Sequence, residues 1–243
     1  MSNPATSRPS IADLIGRDGF AFVHAAEMQG VLKAQGLTDW GSFAASWNDL
    51  GLDTYMADGG RYRRRRHAAF AATAGGIVRL PHQPHYQSRD YNALNGGIAR
   101  WFDPVTEATE QAPAFRAILR TCQLVFDTLT PGVPRWLVET HQFRIEAQTG
   151  QAGQPTPEGM HRDGVDWVLV LMVRRENIAS GQTTIHDLER HTLGSFTLAQ
   201  AMDAAWVDDS RRFHGVTPVE PRDPARPAFR DVLVVTFRRE DAA

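Results

Sequence analysis

Pro134-Arg135-Trp136-Leu137-Val138-Glu139-Thr140-His141-Gln142-Phe143-Arg144-Ile145-Glu146-Ala147 is the stretch at which the chain changes character. Upstream, apolar residues recur at helical spacing. From Trp136 onward they fall in short runs rich in Val, Thr and aromatics, and Trp136 to Ala147 reads as a strand. Trp167 to Val173 and Thr183 to Leu188 read the same way. Further strands are expected at Leu193 to Leu198, Arg211 to Val219 and Asp231 to Arg238, with turn-rich segments such as Gly150 to Gly159 and Pro221 to Pro227 between strands. Before the switch, Ser10 is a candidate cap for a helix starting at Ile11, and Trp40, Phe43 and Trp47 form a helical stripe. Pro113 suits the first position of the clearest helix, whose apolar face includes Phe115, Ile118, Cys122, Phe126 and Leu129. Cys122 on that face reads as core rather than nucleophile. Helices first and strands second predict a mainly β protein with flanking helices, a single domain over residues 1–243. Residues 1–133 are expected to be largely helical, packing on a β core over 134–240.

Composition narrows the function classes. The 243 residues carry 26 basic and 28 acidic side chains, a net charge of −2, and every basic residue except Lys33 is an arginine. That balance argues against a general polyanion or nucleic-acid binder, so Arg63 to Arg66 reads as a solvated or ion-paired segment. With Cys122 alone, neither an internal disulfide nor a cysteine metal cage can form. The apolar run Trp167 to Val173 falls far short of the roughly 20 residues of a membrane span. Met1 to Ser10 lacks the apolar core of a secretory signal, and a cytoplasmic setting is expected.

His161-Arg162-Asp163 places an imidazole and a carboxylate on one face of an extended backbone, and His214 follows in the same β region. Two His and one carboxylate on one side of a metal leave the other positions open, the arrangement of non-haem Fe(II) oxygenases. By itself the pair is a weak signal, since roughly 0.7 His-x-Asp matches arise by chance at this composition. The pair His82 and His85 reads as loop structure rather than a second metal site. Arg230 stands at the mouth of the last strand, where period two puts Arg230, Val232, Val234 and Thr236 on one face. A guanidinium there suits the far carboxylate of a dicarboxylate. The residues alone equally allow a pair with Asp231 or Glu220.

Pro155-Thr156-Pro157-Glu158-Gly159-Met160-His161-Arg162-Asp163-Gly164, then Arg175-Glu176-Asn177-Ile178 and Gly181, Asp208-Asp209 before His214, and Arg230-Asp231-Val232-Leu233-Val234 resemble the bacterial 2-oxoglutarate/Fe(II) dioxygenases of the L-isoleucine 4-hydroxylase family. The likeness extends upstream through Tyr62 to Arg65, His85 to Ser88, Tyr91-Asn92, Gly96 to Arg100 and His141 to Ile145, so it covers roughly residues 60–238. It implies a double-stranded β-helix (jelly-roll) core. It also implies Fe(II), 2-oxoglutarate and dioxygen as cofactor and cosubstrates, and hydroxylation of an unactivated C–H bond of a free, aliphatic L-amino acid. Methionine sulfoxidation is open in the same pocket. By position His161, Asp163 and His214 match the iron ligands. Arg230 is the candidate for the cosubstrate, with Arg226 as fallback because Val232 stands where related oxygenases carry Ser or Thr. The polar face of the strand from Leu137 makes Gln142 and Arg144 candidate pocket residues. Tyr86 and Gln87 are candidates for a loop over the site, and Trp167 either walls the pocket or fills the core. Two other readings stay open: the same chemistry on a modified amino acid, dipeptide or carrier-bound residue, and a non-catalytic small-molecule-binding β-sandwich.

Overall fold

The computed structural model describes residues 9–240; the first eight residues, most of the stretch read for a secretory signal, and the last three lie outside the described residues. In chain order the elements begin with α1 (Ile11–Asp18), β1 (Phe20–Val23), α2 (Ala25–Ala34), α3 (Trp40–Ala45), β2 (Gly51–Leu52), β3 (Arg63–Thr73), β4 (Gly76–Arg79), α4 (Glu107–Gln111) and α5 (Pro113–Leu129). They continue with β5 (Trp136–Ala147), β6 (Trp167–Glu176), β7 (Ile178–Ser180), β8 (Thr183–His186), β9 (Thr192–Phe196), β10 (Ala204–Asp208), β11 (Phe213–Val216), β12 (Val219–Pro221) and β13 (Ala228–Arg239). Several boundaries follow from local chemistry. Ser10 caps α1 through a reciprocal capping box with Asp13, and Gly19 ends the helix at φ 73°. Pro113 opens α5, whose Phe115, Ile118, Cys122 and Phe126 are all buried.

The large sheet runs β1-β10-β6-β13-β5-β3-β2, with β4 on β3; β11-β8-β9 and β12-β7 form smaller sheets. Period two gives the large sheet two distinct faces. One face, with Trp136 and Val138 of β5, Leu169 and Leu171 of β6, and Leu233, Val235 and Phe237 of β13, joins the helices in the main core. Phe126 of α5 stacks on Trp167 at 5.6 Å and meets Phe237 edge-on at 5.0 Å. The opposite face carries His141, Phe143 and Ile145 of β5 and Arg230, Val232 and Val234 of β13, and it walls a cavity closed by the smaller sheets and their loops. The molecule is mainly β with flanking helices, a jelly-roll core.

The segment expected to be largely helical is not so over its described residues, 9–133. Arg63–Thr73 is an eleven-residue strand paired along its length with β5, and β1 and β2 also join the large sheet. The alanines at 68, 69, 71 and 72 blur the apolar alternation that marks a strand. Nor are Arg63 to Arg66 uniformly solvated: Arg63 and Arg65 are buried on the cavity face, while Arg64 and Arg66 point away. The expected strand at Arg211 to Val219 is two strands in different sheets, β11 and β12.

Candidate active site

His161 and His214 come together because their backbones pair: each amide N–H donates to the other's carbonyl at 2.9 Å. Their rings lie 4.5 Å apart. Asp163 reaches both, with Oδ1 3.5 Å from His161 Nε2 and Oδ2 3.6 Å from His214 Nε2. His161 Nδ1 is 3.0 Å from the Gly159 carbonyl, so the proton belongs on Nδ1 and the Nε2 lone pair faces Asp163. The electrostatics suit a cation. Burial opposes charge on His161, yet the Asp163 and Glu158 carboxylates raise it to about 9, while burial and the His161 charge push His214 down to about 4. Burial works against the charge on Asp163, but the two imidazoles hold it well below the usual carboxylate range. Two imidazoles and a carboxylate whose donor atoms lie within 4.8 Å of one another can hold a divalent metal ion in place of the proton they otherwise share.

The loop that presents Asp163 is built on Asp209. Its carboxylate accepts the backbone N–H groups of Asp163 and Gly164 at 2.8 Å and of Val165 at 3.1 Å. Burial and the Asp163 charge nevertheless push Asp209 up to about 7. Gly164 turns at φ 81°, and a Cβ there would lie 2.6 Å from the Tyr91 ring, so only glycine fits. Gln87 closes the other side: its Nε2 donates to the Asp163 carbonyl at 3.1 Å and its Oε1 accepts from Asn92 Nδ2 at 3.1 Å. Asp209 sits in the Asp208-Asp209 motif, but nothing in its local sequence assigned it a role; two acids just ahead of His214 were the available signal. Asp209→Ala is expected to weaken metal affinity by about 10–100-fold, the usual effect of losing a group that orients a ligand, as read by an Fe(II) activation curve.

Facing the metal-binding group across the cavity, Arg230 is 3% exposed, its Nε is buried without a partner, and its guanidinium makes no hydrogen bond or ion pair among the described residues. Neither Asp231 nor Glu220 takes it. Asp231 lies on the helix face of β13, where Arg144 grips it bidentately at 2.7 and 2.8 Å. Burial, followed by the nearby Arg175 charge, lowers Arg230 to about 10, as befits a cation awaiting its anion. The fallback, Arg226, is exposed and pairs with Glu176 at 3.1 Å, away from the cavity.

The other candidate pocket residues do not line this cavity. Gln142 and Arg144 share the helix face of β5; Gln142 is buried there, donating to Ser46 Oγ at 2.9 Å. Both faces of β5 carry polar groups, so its sequence pattern did not reveal which one the cavity uses. Trp167 belongs to the main core, its indole N–H donating to Thr130 Oγ1 at 3.0 Å. Tyr86 is 61% exposed and points away, while its neighbour Gln87 turns in. His82 is a loop residue, with Nε2 3.0 Å from the Phe102 carbonyl. His85, in contrast, lines the cavity and joins a second group with His67, Glu139 and His141. Glu139 Oε1 accepts from His67 at 2.8 Å and from His85 at 2.9 Å, and Arg65 donates to His141 Nδ1 at 2.6 Å. Burial lowers all three imidazoles, and Glu139 and Arg65 hold them by hydrogen bonds, while His67 Nδ1 is buried without a partner.

This jelly roll, with an open two-His, one-carboxylate group beside a partnerless buried arginine, defines a class, and residues 44–236 match the family model described as 2OG-Fe dioxygenase. The chain belongs to that family: it is a 2-oxoglutarate-dependent dioxygenase that uses Fe(II), 2-oxoglutarate and dioxygen. It is 26% identical over 237 residues to the 3(1)-hydroxy-L-isoleucine 4-dioxygenase of Pantoea ananatis, covering 93% of this chain and 94% of that protein. It is 25% identical over 155 residues to the L-isoleucine-4-hydroxylase of Bacillus thuringiensis, covering 63% of this chain and 64% of that one. Among solved structures it resembles a bsmA homologue from Methylobium petroleophilum, at 35% identity and a TM-score of 0.85, over 94% of this chain and 92% of that one. No helix among the described residues is long and apolar enough to cross a membrane.

Proposed function

We propose that this dioxygenase hydroxylates an unactivated C–H bond in the side chain of a free, aliphatic L-amino acid, with His161, Asp163 and His214 as iron ligands and Arg230 as the anchor for 2-oxoglutarate. The observation that carries the residue assignments is the pairing, in one cavity, of an open metal-binding face with a buried guanidinium that has no partner among the described residues. When bound, the iron supplies the oxidant, drawn from dioxygen and 2-oxoglutarate with release of succinate and carbon dioxide. The chain's own residues bind, orient and exclude water. The Gly159 carbonyl fixes the His161 tautomer, Asp209 and Gln87 hold Asp163 in place, and Arg230 fixes the far end of the cosubstrate. Val170, Val232 and Val234 make an apolar floor suited to an aliphatic side chain and to keeping solvent from the reacting carbon. The amino-acid assignment draws on the two curated relatives described above, named for isoleucine or its hydroxylated form. The test is a mass-spectrometric screen of the twenty amino acids with Fe(II), 2-oxoglutarate and air. An aliphatic amino acid gaining the mass of one oxygen is expected, and methionine sulfoxide is admissible as a side product. Turnover confined to dipeptides or carrier-bound residues would refute the assignment.

A further inference from the structure

The cavity holds a second buried cation with nothing to bind. Arg100 is 2% exposed, and its side chain makes no hydrogen bond or ion pair among the described residues. Its backbone is fixed by paired amides with His85, each at 2.9 Å, and its guanidinium lies 5.9 Å from the Phe102 ring. Arg65 packs on the same ring at 3.6 Å and also keeps its Nε buried without a partner. One carboxylate, Asp53, serves both Arg63 at 2.7 Å and Arg65 at 3.6 Å. Burial and the mutual repulsion of these guanidiniums lower Arg65 and Arg100 alike, which is the mark of too few counter-ions. Nearby stands a charge of the opposite sign. Glu158 is largely buried, its Oε2 has no partner, and its Oε1 lies 3.5 Å from His161 Nε2.

These groups are separate from the Arg230 anchor. In the sheet register, Arg63 and Arg230 flank Ile145 on opposite sides, which puts the β3 and β13 backbones about 10 Å apart. Once Asp163 is assigned to the metal, Arg230 to the cosubstrate and Asp53 to its two arginines, what remains on the cavity wall is a positive end and a negative end. Buried charges persist only where a partner compensates them; among the described residues Arg100 has no hydrogen bond or ion pair, and Glu158 has only His161, at 3.5 Å. A zwitterion is the ligand that completes both ends at once.

We infer that Arg100, with Arg65 beside it, receives the α-carboxylate of the substrate and that Glu158 receives its α-ammonium, so that the cavity admits free α-amino acids and rejects those with an amidated or thioesterified carboxylate or an acylated amine. This inference rests on the amino-acid reading above and narrows it, because it disfavours carrier-bound and C-terminally extended substrates.

The test is calorimetric titration, under anaerobic conditions, of the Fe(II)- and 2-oxoglutarate-loaded protein. L-isoleucine, L-isoleucinamide and N-acetyl-L-isoleucine are the first probes, followed by the remaining amino acids and their amides. The free amino acid should bind at least about 30-fold more tightly than either capped form, the scale expected when one partner of a buried charge pair is removed. Arg100→Gln should lose a similar factor for the free acid while its 2-oxoglutarate affinity stays unchanged, and Arg100→Lys should recover part of the loss. Glu158→Gln should narrow the gap between the free and the acetylated amine. Equal binding of acid and amide by the wild-type protein would overturn the clamp without any variant having to fold. Binding of no amino acid, free or capped, would instead overturn the substrate reading on which the clamp rests.

Discussion

Asp163→Ala is expected to abolish 2-oxoglutarate turnover, with succinate formation falling to the level without enzyme both in the presence and in the absence of the amino acid. Asp163 is the only carboxylate in the group, and it touches both imidazoles, at 3.5 and 3.6 Å. Without it, two neutral nitrogen donors remain for a divalent cation, with no negative charge among the ligands to offset the ion's cost of leaving water. The loss should therefore appear in metal binding and not only in rate. Fe(II) should raise the melting temperature of the wild-type protein, as any ligand does that binds the folded state alone, and should leave that of the variant unmoved. The metal-free variant should still fold, because the Asp209 carboxylate engages the Asp163 backbone rather than its side chain. His214→Ala provides an independent check from β11, a different element of the site. Retained turnover in either variant would show that the iron is held elsewhere.

For Arg230→Ala the expected result is a rise in the KM for 2-oxoglutarate of at least about 30-fold, with a much smaller change in the maximal rate. Truncating one partner of a buried charge pair costs about 2–5 kcal/mol, and each 1.4 kcal/mol is tenfold in affinity. The wide end of that range applies when the guanidinium grips the carboxylate bidentately. Because Arg230 has no hydrogen bond or ion pair among the described residues, its removal takes none of their polar contacts from the ligand-free fold. The variant's stability should therefore hold while the stabilisation conferred by 2-oxoglutarate disappears. Arg226→Ala, at an exposed pair with Glu176, should leave the KM unchanged. The reverse pattern would transfer the cosubstrate to another arginine.

How much of this was legible in the sequence depended on whether each residue's surroundings are local. The strand Trp136–Ala147 and the helix from Pro113 to Leu129 stand at the boundaries their patterns mark, because turn residues and proline act locally. Alternation likewise placed Arg230, Val232, Val234 and Thr236 on one face, and all four line the cavity. Which face of a strand meets a cavity is a tertiary fact. Gln142 and Arg144 are polar for reasons on the helix side, Ser46 and Asp231, whereas the cavity face of the same strand presents His141, Phe143 and Ile145. The arginines at 63 and 65 look like surface charge in sequence, yet the register of β3 on β5 carries them inward. β10 was missed because its residues, Ala204 to Asp208, are buried on both faces between β1 and β6, leaving no alternation to read. Asp209, Glu158 and Arg100 acquire their places only from the fold, from three backbone amides, a carboxylate with one buried oxygen unpartnered and a guanidinium without a hydrogen bond among the described residues, respectively.

The most direct measurement is single-turnover chemistry under isotopically labelled dioxygen, with Fe(II), 2-oxoglutarate and the amino acid found in the screen. The expected result is one labelled oxygen atom in the amino-acid side chain and one in succinate for each dioxygen consumed, with Asp163→Ala yielding neither product. Succinate formed without any oxygen entering the amino acid, or full labelling in Asp163→Ala, would contradict the account.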